Sequence, residues 1–339
     1  MRKVKAAVVG VGHLGKEHAR ILAGSDGVEL IAIVDVNSDR AQEIAQKYGT
    51  RHFTSHKDIL GQVEAVSIAV PTSMHYEIAR DFLDSGIPTM VEKPLTDNVE
   101  TARKLVNLAR EKGALLQVGH IERFNPAVMA VQKIIKPPRF IESHRLSPYS
   151  FRSRDIDVVL DLMIHDIDII LHLVKAPLKD IQATGISVIS KSEDIANARL
   201  TFADGCVANI TTSRISYNAM RKIRVFSDDS YVSLDYGARR AWIYRPSEDI
   251  LKRRFDIEEF LGKGDFSEVK DMRDVVFKDL VSVKEVPMND KEPLKSELES
   301  FIDCVRTGST PVVPGEHGLR ALEAAKQIVQ KIRSHTWSD

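Results

Sequence analysis

Residues 1–122 predict an α/β fold built on an open, doubly wound parallel sheet. Three observations carry that expectation. Short apolar runs alternate with helical segments, the runs are apolar enough to be covered on both faces, and the first of them leads straight into three closely spaced glycines. Residues 3–9, β-branched and almost continuously apolar, read as the first strand, and 16–23 as a helix. Residues 28–34 (VELIAIV) give the second strand and 38–48 the second helix. A strand at 65–69, a helix at 75–85, a strand at 89–92, a helix at 98–111 and a strand at 115–118 complete the series. Such repeats imply right-handed crossovers, which put helices on both faces of the sheet.

The chain of 339 residues is too long for one ordinary core, so two domains are expected, 1–122 and 123–339. Hydrophobic residues at 43% and charged residues at 28% match a globular chain and argue against disorder. The 48 Lys and Arg balance 48 Asp and Glu, which removes the electrostatic ground for a nucleic-acid or membrane partner. Cys206 and Cys304 offer neither a disulfide framework nor metal-ligand spacing, so a reducing compartment, the cytoplasm, is expected. The opening Met1-Arg2-Lys3 and its apolar run imitate a short signal peptide, but Gly10, Gly12 and Gly15 interrupt it and a first strand is the better reading. No stretch approaches the roughly 20 apolar residues that span a bilayer.

The turn Gly10-Val11-Gly12-His13-Leu14-Gly15 falls between a strand and a helix. There the first glycine makes the turn, the second lets backbone approach a pyrophosphate, and the third lets helix pack on strand. The helix N-terminus adds unpaired N–H groups for the phosphates. A Rossmann-type dinucleotide site is therefore expected, with His13 and Leu14 in its turn. Asp35 ends the second strand about 20 residues past the last glycine, where a carboxylate accepts from the adenosine ribose hydroxyls. Its charge would repel a 2′-phosphate, so NAD is favoured over NADP; Arg40 nearby is the one residue that could receive such a phosphate. Pro71, Thr72 and His75 sit just beyond another strand end and are further cofactor candidates, with a surface histidine at a helix start as the alternative for His75.

Two constellations could carry chemistry. Glu92-Lys93-Pro94 follows the strand at 89–92, and ligands of such sheets bind beyond the carboxyl ends of the strands. A lysine held there can donate to a substrate hydroxyl and stabilise negative charge as a carbonyl forms, with Glu92 orienting it. The second is the apolar run DVVLDLMIHDIDIILHLV at 157–174, which predicts a buried helix. Asp161, His165, Asp168 and His172 follow one another at spacings that put them on one helical face. A polar stripe on a buried helix needs a reason. His165 can act as general base with Asp161 beside it; a self-satisfied polar network and a divalent-metal site are the alternatives, and no metal is expected because a nicotinamide would already supply the electrophile.

These residues together resemble the Gfo/Idh/MocA oxidoreductases, almost end to end. The likeness rests on residues 10–15, Val70-Pro71-Thr72 with His75, Glu92-Lys93-Pro94-Leu95, Arg123-Phe124-Asn125-Pro126, Asp161 with His165, and a tail over 293–332 with Glu297, Phe301, Gly308 and Pro311. The resemblance implies that Lys93 and His165 are a catalytic pair with Asp161 beside them, and that Glu92 helps place the cofactor. It also implies a C-terminal α+β domain with a large open, mainly antiparallel sheet whose outer face makes a homo-oligomer, dimer or tetramer. Strand-like runs at 181–190, 197–202, 207–213, 222–226 and 231–234 agree with that sheet. The charged stretch 245–274 reads as an irregular excursion, and the last helix is expected to pack back near the N-terminal domain.

Within the family, the bulky Leu162-Met163-Ile164 and the segment Gly119-His120-Ile121-Glu122-Arg123-Phe124-Asn125-Pro126 look like the branch that oxidises UDP-N-acetylglucosamine at C3. In that branch an aminotransferase then aminates the 3-keto sugar, towards lipid A. Arg123, Arg152 and Arg154 would suit a diphosphate, because guanidinium forks pair with phosphate oxygens. Arg123, Asn125 and Arg154 are thus expected substrate contacts, with Lys93, Asp161 and His165. Other nucleotide sugars, uronates and inositols fit the same core. A dinucleotide-binding regulator without turnover is the alternative of another class, disfavoured because Lys93, Asp161 and His165 are all present.

Overall fold

Six parallel strands form the first sheet in the order β3-β2-β1-β4-β5-β6: β1 (Val4–Val9), β2 (Val28–Val34), β3 (Arg51–Phe53), β4 (Ala65–Ile68), β5 (Thr89–Glu92) and β6 (Leu116–Gly119). The structure, a computed structural model, describes residues 2–150, 156–263 and 271–335. In β1, Val4, Ala6 and Val8 face one core while Ala7 and Val9 face the other, so the strand is buried on both sides as its apolar run requires. The first core is closed by α1 (Gly15–Ala23), α2 (Ser38–Tyr48) and, from far along the chain, Leu294, Leu298, Phe301 and Ile302. The second is closed by α3 (His75–Asp84) and α4 (Val99–Lys112). Asn37 and Asn98 cap α2 and α4 by accepting from the N–H groups of Arg40 and Thr101, each at 2.9 Å.

After a short helix α5 (Pro126–Val131), β7 (Phe140–Leu146) opens an eight-stranded sheet. A buried helix follows, a π turn over Val159–Met163 continuing into α6 (Ile164–Leu173). The other strands are β8 (Leu178–Ile186), β9 (Ile195–Phe202), β10 (Val207–Ser213), β11 (Met220–Phe226), β12 (Tyr231–Asp235), β13 (Arg240–Pro246) and β14 (Val281–Glu285). Their order is β14-β13-β12-β11-β7-β10-β9-β8, antiparallel throughout except for the pair β7 and β10. Short helices α7 (Glu248–Leu251), α8 (Ile257–Lys263) and α9 (Met272–Val275) lead to β14, and α10 (Pro293–Thr307) and α11 (Gly315–Ser334) end the chain. The last helix packs against α4, α6 and β8, and so ties both sheets to one continuous apolar cluster.

Two expectations need correction here. The strand placed at 181–190 ends at Ile186, where the chain turns so that the buried Asp194 carboxylate accepts the N–H groups of Val188, Ile189 and Ser190. The stretch 245–274 is not wholly irregular: its described residues include the end of β13, all of α7 and α8 and the start of α9.

Candidate active site

The carboxyl ends of β1, β4, β5 and β6 lie side by side, and the turn after β1 shows what each glycine does. Gly10 has φ +84°, and a Cβ there would lie 2.7 Å from the Ala69 carbonyl oxygen. At Gly15 a Cβ would lie 1.8 Å from the Gly10 carbonyl oxygen, so the fold itself requires both residues. At Gly12 nothing stands within 4 Å, which leaves the face of the turn open to a ligand's backbone approach. His13 and Leu14 are exposed at its mouth, and α1 starts with no side-chain cap on its N–H groups. A cleft of about 420 Å³ continues from this turn, lined by Gly10, Gly12, Asp35, Arg40, Val70 and Pro71 among others. Asp35 is fixed at its edge by the N–H groups of Val11 and Asn37, each at 2.9 Å, with Arg40 Nη1 3.7 Å away. Open space at Gly12, a helix N-terminus without a side-chain cap and a carboxylate at the end of β2 fit a dinucleotide.

Lys93 follows β5 at the same carboxyl edge of the sheet, two strands along from β1. Its Nζ donates to the Asp161 carbonyl oxygen at 2.6 Å and lies 3.7 Å from the Asp161 carboxylate. Both side chains are about one-fifth exposed, 18% and 22%, so they reach the cleft without being free in solvent. Burial pushes the Lys93 amine below its ordinary range, against the pull of Asp161 and Glu92. His165, one turn further along the helix, is partly accessible, while its Nδ1 is buried with no partner among the described residues. Burial, then the charges of Lys93 and Arg145, hold its imidazole well below the usual range, so the ring is neutral near pH 7.

Behind Lys93, Glu92 is buried between α1 and β6. His18 Nε2 lies 3.3 Å from Glu92 Oε1, and His18 Nδ1 lies 2.7 Å from Ser67 Oγ. Gly119 makes room for this carboxylate, since a Cβ there would lie 2.7 Å from Glu92 Oε1. Below His165, Arg145 of β7 pairs with Asp166 at 2.5 Å and Glu122 at 3.0 Å, and Ser143 donates to Asp166 at 2.8 Å. Although burial opposes its charge, Asp166 and Glu122 keep the guanidinium firmly ionised. His18, Ser67, Glu122, Arg145 and Asp166 were not singled out for the site from the sequence; only the buried acid Asp166 in an apolar helix signalled that a cation must face it.

Several expected contacts are corrected. The stripe does not act as one face: Asp161 and His165 adjoin Lys93, Asp168 pairs with Arg123, and His172 Nε2 lies 3.3 Å from Gln132 Oε1. The π turn at Val159–Met163 changes the angular step ahead of α6, so regular helical spacing misplaces Asp161 against the rest. Arg123 is 3% exposed and its guanidinium is spent on Asp168 and the Val312 carbonyl, both at 3.4 Å, which leaves it unable to meet a diphosphate in the cleft. Asn125 caps α5 through Ala127 N–H at 3.1 Å and donates to Glu122, so it too is a structural residue. His75 is neither a surface histidine nor free for a cofactor, because its buried ring nitrogens each lie 2.9 Å from a carbonyl, of Pro94 and of Val70. Pro71 lines the groove, and Thr72 next to it is partly exposed. Arg152 and Arg154 lie outside the described residues. Among the described residues no group of three or more His, Cys, Asp and Glu is placed to hold a metal ion, and no helix is long and apolar enough to cross a membrane.

A glycine turn under a helix N-terminus, an acid at the end of β2, and a lysine and histidine meeting over the strand ends define a dinucleotide-dependent oxidoreductase. Comparison with known proteins agrees: residues 4–120 match the oxidoreductase family with an NAD-binding Rossmann fold, and 140–232 match the GFO/IDH/MocA C-terminal domain. The chain belongs to the Gfo/Idh/MocA oxidoreductase family. It is 33% identical to the UDP-N-acetylglucosamine 3-dehydrogenase of Acidithiobacillus ferrooxidans over 97% of each chain. A crystal structure of that enzyme superposes with a TM-score of 0.85 over 98% of this chain and 99% of the other. The inositol 2-dehydrogenase of Rhizobium meliloti is 25% identical, over 97% of each chain.

Proposed function

We propose that this chain oxidises the C3 hydroxyl of UDP-N-acetylglucosamine to the ketone, with NAD as oxidant. The observation that carries the reading is the meeting of Lys93, Asp161 and His165 beyond β5 of the sheet that carries the glycine turn, in a chain that matches a named UDP-N-acetylglucosamine 3-dehydrogenase over nearly its whole length. Bound NAD supplies the hydride acceptor. Lys93 donates to the substrate hydroxyl oxygen and stabilises the negative charge that grows there. His165, neutral because burial and neighbouring cations disfavour its charged form, accepts the hydroxyl proton, and Asp161 holds Lys93 and binds the hydroxyl from the other side. Asp35 would repel a 2′-phosphate, which supports NAD over NADP. The product ketone is the kind of compound an aminotransferase converts to a 3-amino sugar.

The deciding experiment is absorbance of reduced nicotinamide when protein, NAD and UDP-N-acetylglucosamine are mixed, with glutamate and an aminotransferase pulling the ketone forward. Reduction that depends on this sugar is expected. Reduction with inositols or uronates and none with the nucleotide sugar would replace the substrate assignment. A homo-oligomer through the outer face of the second sheet belongs to the same reading. It is supported by a half-buried aromatic row across that sheet, Phe226 to Tyr231 at 5.2 Å and Tyr231 to Tyr244 at 4.1 Å between ring centres. Light scattering showing a monomer at working concentration would remove it.

A further inference from the structure

Oxidising an alcohol releases a proton as well as a hydride, and a pocket filled by sugar and cofactor must pass that proton on. His165 is a poor place to keep it, with Lys93, Arg145, His120 and Arg221 as the groups that oppose its charge. On the inner side of His165 stands His120, at the end of β6, 1% exposed, its ring edge-on to that of His165 with centroids 6.4 Å apart. Neither ring nitrogen of His120 has a hydrogen-bond partner among the described residues. A histidine buried in that way demands an explanation, because unpaired buried polar atoms are costly. The groups facing His120 are Asp168, Lys93, Arg123 and Glu92. Asp168 accepts from Arg123 through Oδ1 only; its Oδ2 is also buried and unpartnered among the described residues. Beyond Asp168 lie His172 and His317, both partly accessible, the latter with an unpartnered buried Nδ1 among the described residues. Unsatisfied buried atoms thus occur at His165, His120, Asp168 and His317, each of them an electrostatic neighbour of another in the set.

We propose that His120 relays the substrate-derived proton from His165 to Asp168, and that it leaves past His172 and His317. The inference rests on the dehydrogenase reading above. The hydroxyl proton passes to His165 as hydride leaves the carbon; His165 releases a proton from Nδ1 to one nitrogen of His120, directly or across one buried water. His120 releases its other ring proton to Asp168 Oδ2, and Asp168 returns to the carboxylate as a histidine nearer the surface takes the proton. Because His120 acts through His165, it is a positioning residue rather than one that touches substrate.

Two measurements on the NAD-loaded protein test it. Nitrogen NMR of labelled imidazoles needs no substrate: the His120 ring proton is expected to exchange with water within seconds, and a ring proton that persists for hours overturns the relay. With UDP-N-acetylglucosamine, His120→Phe keeps the ring packing and is expected to bind NAD as before while turnover falls about 100-fold and the solvent deuterium isotope effect rises. His120→Ala is expected to regain at least a tenth of the lost rate with added imidazole. Unchanged turnover in either folded variant, or in His120→Gln should both fail to fold, overturns the proposal. A wild-type protein silent towards this sugar, yet with a rapidly exchanging His120 proton, overturns the substrate assignment and supports the relay.

Discussion

Replacing Lys93 by Met tests the chemistry most directly, because the unbranched apolar stem is kept and the charged donor at its end is lost. The amine lies 2.6 Å from the Asp161 carbonyl and 3.7 Å from its carboxylate, so it is already oriented before substrate arrives. Removing one such donor from a developing oxyanion typically costs about 100- to 1,000-fold in turnover, or about 2.7–4 kcal/mol of barrier. Stability moves little. The variant leaves the Asp161 carbonyl without its donor, a cost of about 1–3 kcal/mol, and is relieved of the cost of desolvating a buried amine. These offset, and the melting temperature is expected to stay within about 4 °C of the parent, since about 1 kcal/mol shifts a chain of this size by only a few degrees. The assay is initial-rate NADH formation alongside NAD binding by calorimetry. NAD affinity should be unchanged, because Lys93 follows β5, three strands along the sheet from the β2 that leads to Asp35. More than a tenth of parental turnover in a folded Lys93→Met would refute the assignment.

His165→Ala should slow hydride transfer about 100-fold or more and remove the acid limb of the kcat/KM profile, a limb that burial places below the ordinary imidazole value of 6.5; an unchanged profile argues against His165 as base. Gly12→Ala should fold normally, since its Cβ meets nothing within 4 Å, yet lose NAD affinity at least about tenfold by blocking the pyrophosphate's approach; unaltered binding would place the cofactor elsewhere. Asp35→Ser removes the carboxylate 3.7 Å from Arg40 and should shift preference towards NADP, measured as the ratio of the two dissociation constants. Glu297 is buried with both oxygens unpartnered among the described residues, and burial raises its pKa well above 4.5. The folded chain therefore holds a proton that the unfolded chain has lost, and stability falls as pH rises through the folded pKa. Glu297→Gln should melt progressively higher than the parent as pH rises above the ordinary carboxylate value of 4.5; parallel curves would show the carboxyl is not held neutral.

The first sheet was legible because every level of its sequence agrees. β1 and β2 carry apolar runs interrupted only by Lys5 and Glu29, Asn37 and Asn98 stand where helices begin, and Gly49 and Gly113 take left-handed φ of 65° and 62° where they end. β7 was not legible, and the reason is chemical. Its inward positions are Ile141, Ser143 and Arg145, two of them polar because they meet Asp166, so the strand's alternation shows no apolar face. β3, β13 and β14 are short or charged strands at or next to sheet edges, where burial imposes little pattern. Arg123 was misjudged for a related reason: its role depends on Asp168, which is 45 residues away in sequence and meets it only through the fold.

The charges under the cleft are mostly paired with one another, and this pairing bears on which residues are free to react. Arg145 is spent on Asp166 and Glu122, and Arg123 on Asp168. A buried charge with a good partner is held in one ionisation state and one geometry. Lys93 and Asp161 differ: they stand 3.7 Å apart, each about one-fifth exposed, with capacity for a further hydrogen bond. His165 beside them is kept neutral by burial, to which the nearby cations add. A substrate hydroxyl entering here would find one donor, one acceptor and one neutral base with their positions fixed from below by paired ions. Swapping Arg145 for a neutral residue would leave Asp166 and Glu122 facing each other uncompensated, so its loss would disturb that floor before it touched any reacting atom.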